Sequence, residues 1–139
     1  MLTPDATSGP HPTTGTHVHV ALVGSRTDVA DIASLLPRRW RATRYHRLSL
    51  VDDADIVVLG SATSDRVAAA RLLNPTATIV AVIDPRAAVA FLVQMMRAGA
   101  DACVRAGTSA WLAEQVLAAH QFRGRQTRLA SHRGWRPAA

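Results

Sequence analysis

The amino-acid sequence predicts a single α/β domain built on a doubly wound parallel sheet. Runs rich in Val and Ile at residues 18–23, 55–60 and 78–83 are continuously apolar, as expected for strands that are covered on both faces. Helical patterns separate these runs, and strands that alternate with helices of this length form βαβ units. The 139 residues suffice for one such domain with one core.

The first half of the predicted domain contains two strands around one helix. Gly24 closes the strand at 18–23, and Thr27 is a suitable N-cap for an amphipathic helix that Pro37 ends. Helical spacing is shown by Val29, Ile32, Ala33 and Leu36. A weaker strand is predicted at 41–45. Because few residues separate it from the next strand, the second helix is expected to be a single turn or missing.

The second half continues the alternation of strands and helices. Thr63 or Ser64 is expected to cap a helix that ends before Pro75, and another helix is predicted at 86–98. Gly99 suits the left-handed residue that follows such a helix. The last strand is expected at 102–104, and the last helix is expected to run from Thr108 through Trp111, Leu112, Val116 and Ala119.

Both ends of the chain differ from the middle in composition. Residues 1–16 are rich in Thr, Pro, Gly and Ser and offer little apolar surface to bury, so a disordered tail is predicted. The folded domain is then expected at 17–122. Residues 123–139 are predicted to form a basic, disordered tail whose first few residues prolong the last helix.

The charge and the reactive side chains limit the chemistry. All sixteen basic residues are arginine and the net charge is +6, which permits acidic partners. The sequence shows neither a long apolar run nor a secretory signal, so a cytoplasmic location without a membrane partner is expected. Cys103 alone makes neither an internal disulfide nor a zinc site, and His17 and His19 lack a third ligand. We therefore predict no metal and no cofactor.

Residues 96–104, with the sequence Met-Arg-Ala-Gly-Ala-Asp-Ala-Cys-Val, carry a family resemblance. They resemble the passage of response-regulator receiver domains in which the fourth helix closes on glycine and leads into the fifth strand. The βα repeats over 18–122 are similar to the same CheY-like family. The resemblance implies a flavodoxin-like, five-stranded sheet of order 2-1-3-4-5 and a role in two-component signal transduction.

The reaction that this resemblance implies needs groups that the chain lacks. Receivers hold Mg²⁺ on paired acids after the first strand, phosphorylate an aspartate after the third strand, and place a lysine after the fifth. The matching positions here are Gly24 with Ser25, then Gly60, then Ala106, and the chain contains no lysine. We therefore expect a pseudo-receiver that is neither phosphorylated in this way nor an enzyme.

Two groups of residues are candidate sites for a ligand and for a partner. Ser25, Ser61 and Asp84 are expected at the carboxyl edge of the sheet, where doubly wound folds bind ligands, although a capping role is favoured for Asp84. In the fourth helix, an apolar stripe is expected to face the sheet; it comprises Val89, Leu92, Val93 and Met96. Phe91 and Met95 then point elsewhere and, with Trp111, form a candidate partner face, with additional core as an equal alternative.

Arginine-rich segments raise weak, non-specific nucleic-acid binding as a further hypothesis. Candidate contacts are Arg123, Arg125 and Arg128. A second group lies before and along the weak strand and comprises Arg38, Arg39, Arg41, Arg44 and Arg47. No recognisable reader of base sequence accompanies them, so a solvated basic surface is the favoured interpretation.

Three classes of function remain at this point. The leading class is a phosphorylation-independent interaction module that dimerises or binds a protein partner. The second is a small-ligand sensor that uses the crevice at the carboxyl edge. An enzyme of another doubly wound family is least favoured, because no nucleophile–base pair stands out in the sequence.

Overall fold

A computed structural model describes residues 17–132 of the chain, with side chains described up to Gln126. The predicted N-terminal tail, 1–16, and residues 133–139 lie outside the described residues. Five strands and three α-helices form the domain. In chain order they are β1 (Val18–Val23), β2 (Trp40–Tyr45), β3 (Ile56–Leu59), α1 (Ser64–Leu73), β4 (Thr78–Ile83), α2 (Val89–Ala98), β5 (Ala102–Arg105) and α3 (Ser109–His132).

The strands form one sheet of order β2-β1-β3-β4-β5, and every neighbouring pair is parallel. The predicted doubly wound sheet and its strand order are therefore confirmed. Because successive side chains of a strand point to opposite faces, the strands supply two separate cores. One core lies under α3 and is centred on Val20, Val58 and Val116. The other lies under α1 and α2 and includes Val57 and Met95.

The prediction of an α-helix after β1 is wrong. Residues 24–39 form turns and one short 3₁₀ segment, Ala33–Leu35. An α-helix would need the Val29 carbonyl to accept from the Ala33 amide, but both groups have other partners. The Arg44 guanidinium donates to the Val29 carbonyl at 3.0 Å, and the Ala33 amide donates to the Asp31 carboxylate at 3.3 Å. The apolar positions that suggested the helix, Val29, Ile32 and Leu36, are nevertheless buried.

The shortened second crossover is confirmed. Between β2 and β3 the chain makes one 3₁₀ segment, Leu48–Leu50, and no α-helix. The exposed side chains of Arg41 and Thr43 lie on β2, the edge strand next to this short connection.

Local capping marks the starts of α1 and α3 and the end of α2. The Thr63 hydroxyl accepts from the Arg66 amide at the start of α1, and the Thr108 hydroxyl accepts from the Trp111 amide before α3. Gly99 ends α2 with a φ of 122°, which only glycine adopts readily. The helix α3 continues to His132, so residues 123–132 of the tail predicted to be disordered are helical.

A clamp on Asp101 joins three elements in front of β5. Its carboxylate accepts from the Ile79 amide at 2.8 Å, from the Arg71 guanidinium at 2.7 Å and from the Arg123 guanidinium at 2.7 Å. These donors belong to β4, α1 and α3. The aspartate of the motif that carried the family resemblance therefore has a structural role here.

Replacing Asp101 by asparagine is expected to lower the free energy of unfolding by about 2 kcal/mol. Both carboxylate oxygens accept hydrogen bonds, whereas the amide has one acceptor oxygen. If that oxygen keeps the bonds from Ile79 and Arg71, the NH2 group faces the Arg123 guanidinium and that bond is lost. Urea unfolding monitored by circular dichroism measures this change. Asp52→Asn removes the same charge from an exposed turn and is the control. Equal effects of the two substitutions would show that the clamp contributes nothing specific.

Candidate functional site

The carboxyl edge of the sheet gathers the positions that the receiver resemblance singles out. The Gly24 amide donates to the Tyr45 carbonyl, the Gly60 amide donates to the Val23 carbonyl, and the Ala106 amide donates to the Ile83 carbonyl. Each position therefore stands directly after its strand, at one edge, as predicted. No side chain beyond a methyl group comes from these three positions.

The loop after β1 closes the space above Gly60. A Cβ atom at this position would lie 2.4 Å from Val29 Cγ2 and 2.7 Å from Asp28 Cβ. Real side chains do not approach so closely, so any residue other than glycine requires the loop to move. The site where the resemblance implies an acceptor aspartate is thus filled by side chains from the loop.

Asp28 is the one acid that this loop brings to the β3 end. Its carboxylate accepts from the Ser61 hydroxyl at 2.8 Å. That hydrogen bond is the main cause that lowers the pKa of Asp28, and the positive charge of Arg66 acts in the same direction. Arg66 also donates to the carbonyls of Gly60 and Ser61, at 2.6 and 3.2 Å. The hydrogen bond between Ser61 and Asp28 therefore locks the two loops together, and Arg66 holds the loop after β3 from α1.

Sequence reasoning missed Asp28 as a site residue and assigned it to a helix that does not form. The available signal was its place in the loop after β1, since that loop lies at the edge where doubly wound sheets bind ligands.

A crevice of about 360 Å³ opens beside this lock. Ser61 and Asp84 line it as predicted, together with Asp28, Phe91 and Ala106. Ser25 is not among its lining residues. The Ser25 hydroxyl instead contacts the Thr27 hydroxyl at 2.7 Å and accepts from the Asp28 amide at 3.3 Å. That correction follows from the turn that replaces the predicted helix.

Asp84 acts locally within the turn that precedes α2. One of its carboxylate oxygens accepts from the Arg86 amide at 2.7 Å, and its carbonyl accepts from the Ala87 amide. The helix-capping role favoured for Asp84 is therefore wrong, because α2 begins at Val89 with Ala88 as its N-cap and Asp84 stabilises the turn before it.

Comparison with known proteins shows what this architecture is similar to. No protein-family model and no curated protein sequence matches the chain. Solved structures do match over most of its length. A CheY-like response regulator receiver domain protein from Methanospirillum hungatei is 14% identical, covers 78% of this chain and 98% of its own, and gives a TM-score of 0.61. The chain has the fold of a response-regulator receiver domain.

Two further solved structures of response regulators match the chain with similar TM-scores. A Burkholderia pseudomallei response regulator with a phosphorylated aspartic acid, a calcium ion and citrate is 18% identical, with 88% of this chain and 77% of that chain covered at a TM-score of 0.61. An orphan response regulator of H. pylori is 14% identical, with 74% and 96% covered at a TM-score of 0.60.

The outer surface of α2 differs from the prediction. Met95 has no exposed surface and lies in the core under α1 and α2, and Phe91 packs partly against the same core. Of the two alternatives left open for Met95, additional core is therefore the one that the structure shows, and the partner face is wrong for this residue. Val89, Val93 and Met96 are exposed instead, at 69%, 42% and 45%. The helix is apolar on most of its surface, so spacing alone did not identify the inward face.

Trp111 has the predicted exposure, at 47%. It stands in the first turn of α3, next to Gly107, and β5 separates α3 from α2 along the chain. The Arg105 guanidinium at the end of β5 donates to the Ala87 carbonyl just before α2. The exposed apolar residues of α2 and Trp111 therefore belong to the two helices that contact β5.

The residues predicted to contact nucleic acid differ in their exposure and in their partners. Arg123 is held by Asp101 and is only partly exposed, whereas Arg125 is exposed; the side chain of Arg128 is outside the described residues. Cys103 is half-buried on β5, and burial raises the pKa of its thiol.

Metal-binding and membrane-spanning features were also sought within residues 17–132. No group of three or more His, Cys, Asp or Glu side chains there is placed to hold a metal ion. Over the same residues, no helix has the length and hydropathy to cross a membrane.

Proposed function

We propose that this chain is a pseudo-receiver: a regulatory module of signal transduction that works by binding a protein partner, or a second copy of itself, independently of phosphorylation. The observation that carries the proposal is the closed space above Gly60, where Val29 Cγ2 and Asp28 Cβ stand within 2.7 Å of a Cβ position. The receiver fold supports a signalling role, and the occupied acceptor position argues against phosphotransfer.

The exposed apolar residues of α2 supply the surface for such a partner. Val89, Val93 and Met96 follow the i, i+4, i+7 spacing of one helix face. Trp111 adds a large aromatic side chain on α3, and aromatic residues are enriched at protein interfaces. An exposed apolar row of this kind favours a protein partner.

Beryllofluoride or acetyl phosphate with Mg²⁺ is expected to change neither the melting temperature nor the two-dimensional NMR spectrum. The paired acids, the acceptor and the lysine are absent from positions 24, 25, 60 and 106, so nothing holds the metal and the phosphoryl group together. A receiver that carries all these groups is the positive control. A Mg²⁺-dependent phosphoryl adduct on an aspartate of this chain would reject the proposal.

A small-ligand sensor is the second candidate, and the crevice beside Asp28 favours it. Its 360 Å³ lies within the range of small-molecule sites, and Asp28, Ser61 and Asp84 place polar atoms around a wall that includes Phe91. A thermal-shift screen with nucleotides and metabolites tests this function. A stabilising compound that loses its effect in Ser61→Ala would support it.

A further inference from the structure

Ten of the sixteen arginines lie in two stretches of sequence that contain no acidic residue. Residues 32–51 hold five, and residues 115–139 hold the other five. The two stretches are far apart in sequence. Whether they act together depends on where the fold places them.

The fold brings the two stretches into contact at the amino edge of the sheet. The ring of Trp40, the first residue of β2, meets the ring of His120 on α3 edge-on, with centroids 5.5 Å apart. His120 Nδ1 also lies 3.1 Å from the hydroxyl of Thr78, the first residue of β4. Burial lowers the pKa of His120. The neutral ring is thus the joint between the start of β2 and the second half of α3.

Arginines stand on both sides of this joint. Arg38 and Arg39 immediately precede Trp40, and Arg125 follows His120 by little more than one helical turn. All three side chains are exposed, and within the described part of the chain no hydrogen bond or ion pair engages them. These three arginines, two before β2 and one on α3, are called the basic face below.

Carboxylates near this edge are engaged or separated from the basic face. Asp101 is paired with Arg71 and Arg123, and Asp55 accepts from the His19 amide at 2.9 Å. Asp52 and Asp53 precede β3, which β1 separates from β2 in the sheet. Asp55 nevertheless acts electrostatically on His120 at the joint, so one carboxylate offsets part of the charge of the three arginines. The net charge of the face remains positive and can attract an external anion.

The chemistry of the face fits a phosphate backbone. Its charges are guanidinium groups, whose planar forks match phosphate oxygens. Arg125 also borders a recess of about 400 Å³ on α3, whose other lining residues are His120, Gln121 and Gly124. We propose that this face binds the phosphate backbone of nucleic acid without reading its sequence.

Binding to a short DNA duplex, measured by fluorescence anisotropy over a range of salt concentrations, tests the proposal. The logarithm of the association constant should fall linearly with the logarithm of the salt concentration. Arg38→Ala with Arg39→Ala should reduce the slope by about 2, and Arg125→Ala should reduce it by about 1, nearly independently of sequence. All three are exposed surface changes, and circular dichroism checks that the fold is retained.

Arg26→Ala with Arg86→Ala is the matched control. These two exposed arginines lie in the loops at the carboxyl edge, so the pair removes the same charge at the opposite end of the sheet. The proposal expects the control to keep the parent's salt slope. A slope reduced as much in the control would overturn it, as would a parent that binds vesicles of phosphatidylserine but not the duplex.

Discussion

Alanine at position 60 is expected to lower the free energy of unfolding by about 3 kcal/mol, near the upper end of what overpacking usually costs. The added methyl group would lie 2.4 Å from Val29 Cγ2, 2.7 Å from Asp28 Cβ and 3.1 Å from the Asp28 backbone carbon. The contact with backbone means that the loop itself must move. Gly60 does not have a positive φ, so the loss measures crowding rather than backbone strain. Urea unfolding gives the value.

Gly124→Ala is the matched control for that substitution. No atom stands within 4 Å of a Cβ at Gly124, which lies inside α3. The same change should therefore stabilise the protein by about 0.5–1 kcal/mol, as glycine-to-alanine changes do in helices. If Gly60→Ala proves neutral, the loop does not close the acceptor position, and the observation that carries the pseudo-receiver proposal is lost.

The centre of the sheet was predictable because its signal is local. In β3 and β4 nearly every residue is apolar, and every residue is buried. Only a strand covered on both faces satisfies such a run in a short domain. The short connection between β2 and β3 was equally readable, since chain length alone limits what fits there.

The conformation of the loop after β1 was not predictable from local spacing. Val29, Ile32 and Leu36 identify the buried residues correctly in either conformation. In the structure Arg44, on the next strand, donates to the Val29 carbonyl, which in an α-helix would accept from the Ala33 amide. A contact of this kind, between residues far apart in sequence, cannot be read from the spacing of apolar residues.

The inward face of α2 was ambiguous for a different reason. Residues 89, 93 and 96 and residues 91, 95 and 98 both follow helical spacing, and both rows are apolar. What distinguishes them is how α2 packs over the sheet and α1, which is tertiary information.

The adjacent methionines of α2 allow a direct test of this orientation. Met95→Ala is expected to lower the free energy of unfolding by about 2–5 kcal/mol, because the Met95 side chain has no exposed surface and its removal leaves a cavity in the core. Met96→Ala makes the same chemical change at a side chain that is 45% exposed, and should change stability by no more than about 0.5 kcal/mol. Denaturant unfolding of the two variants separates them.

The exposed row of α2, Val89, Val93 and Met96, predicts an effect on association rather than on stability. Met96→Ser combined with Val93→Ser should weaken self-association, measured by light scattering at several concentrations, because both side chains lie on the exposed row of α2. Its effect on stability should stay small, since exposed substitutions seldom exceed about 0.5 kcal/mol. If the parent is monomeric, the same variant should weaken capture of the protein partner in a pull-down.

Unchanged association and unchanged capture would show that this row is not the interface. A stability loss as large as that of Met95→Ala would show that the row belongs to the core.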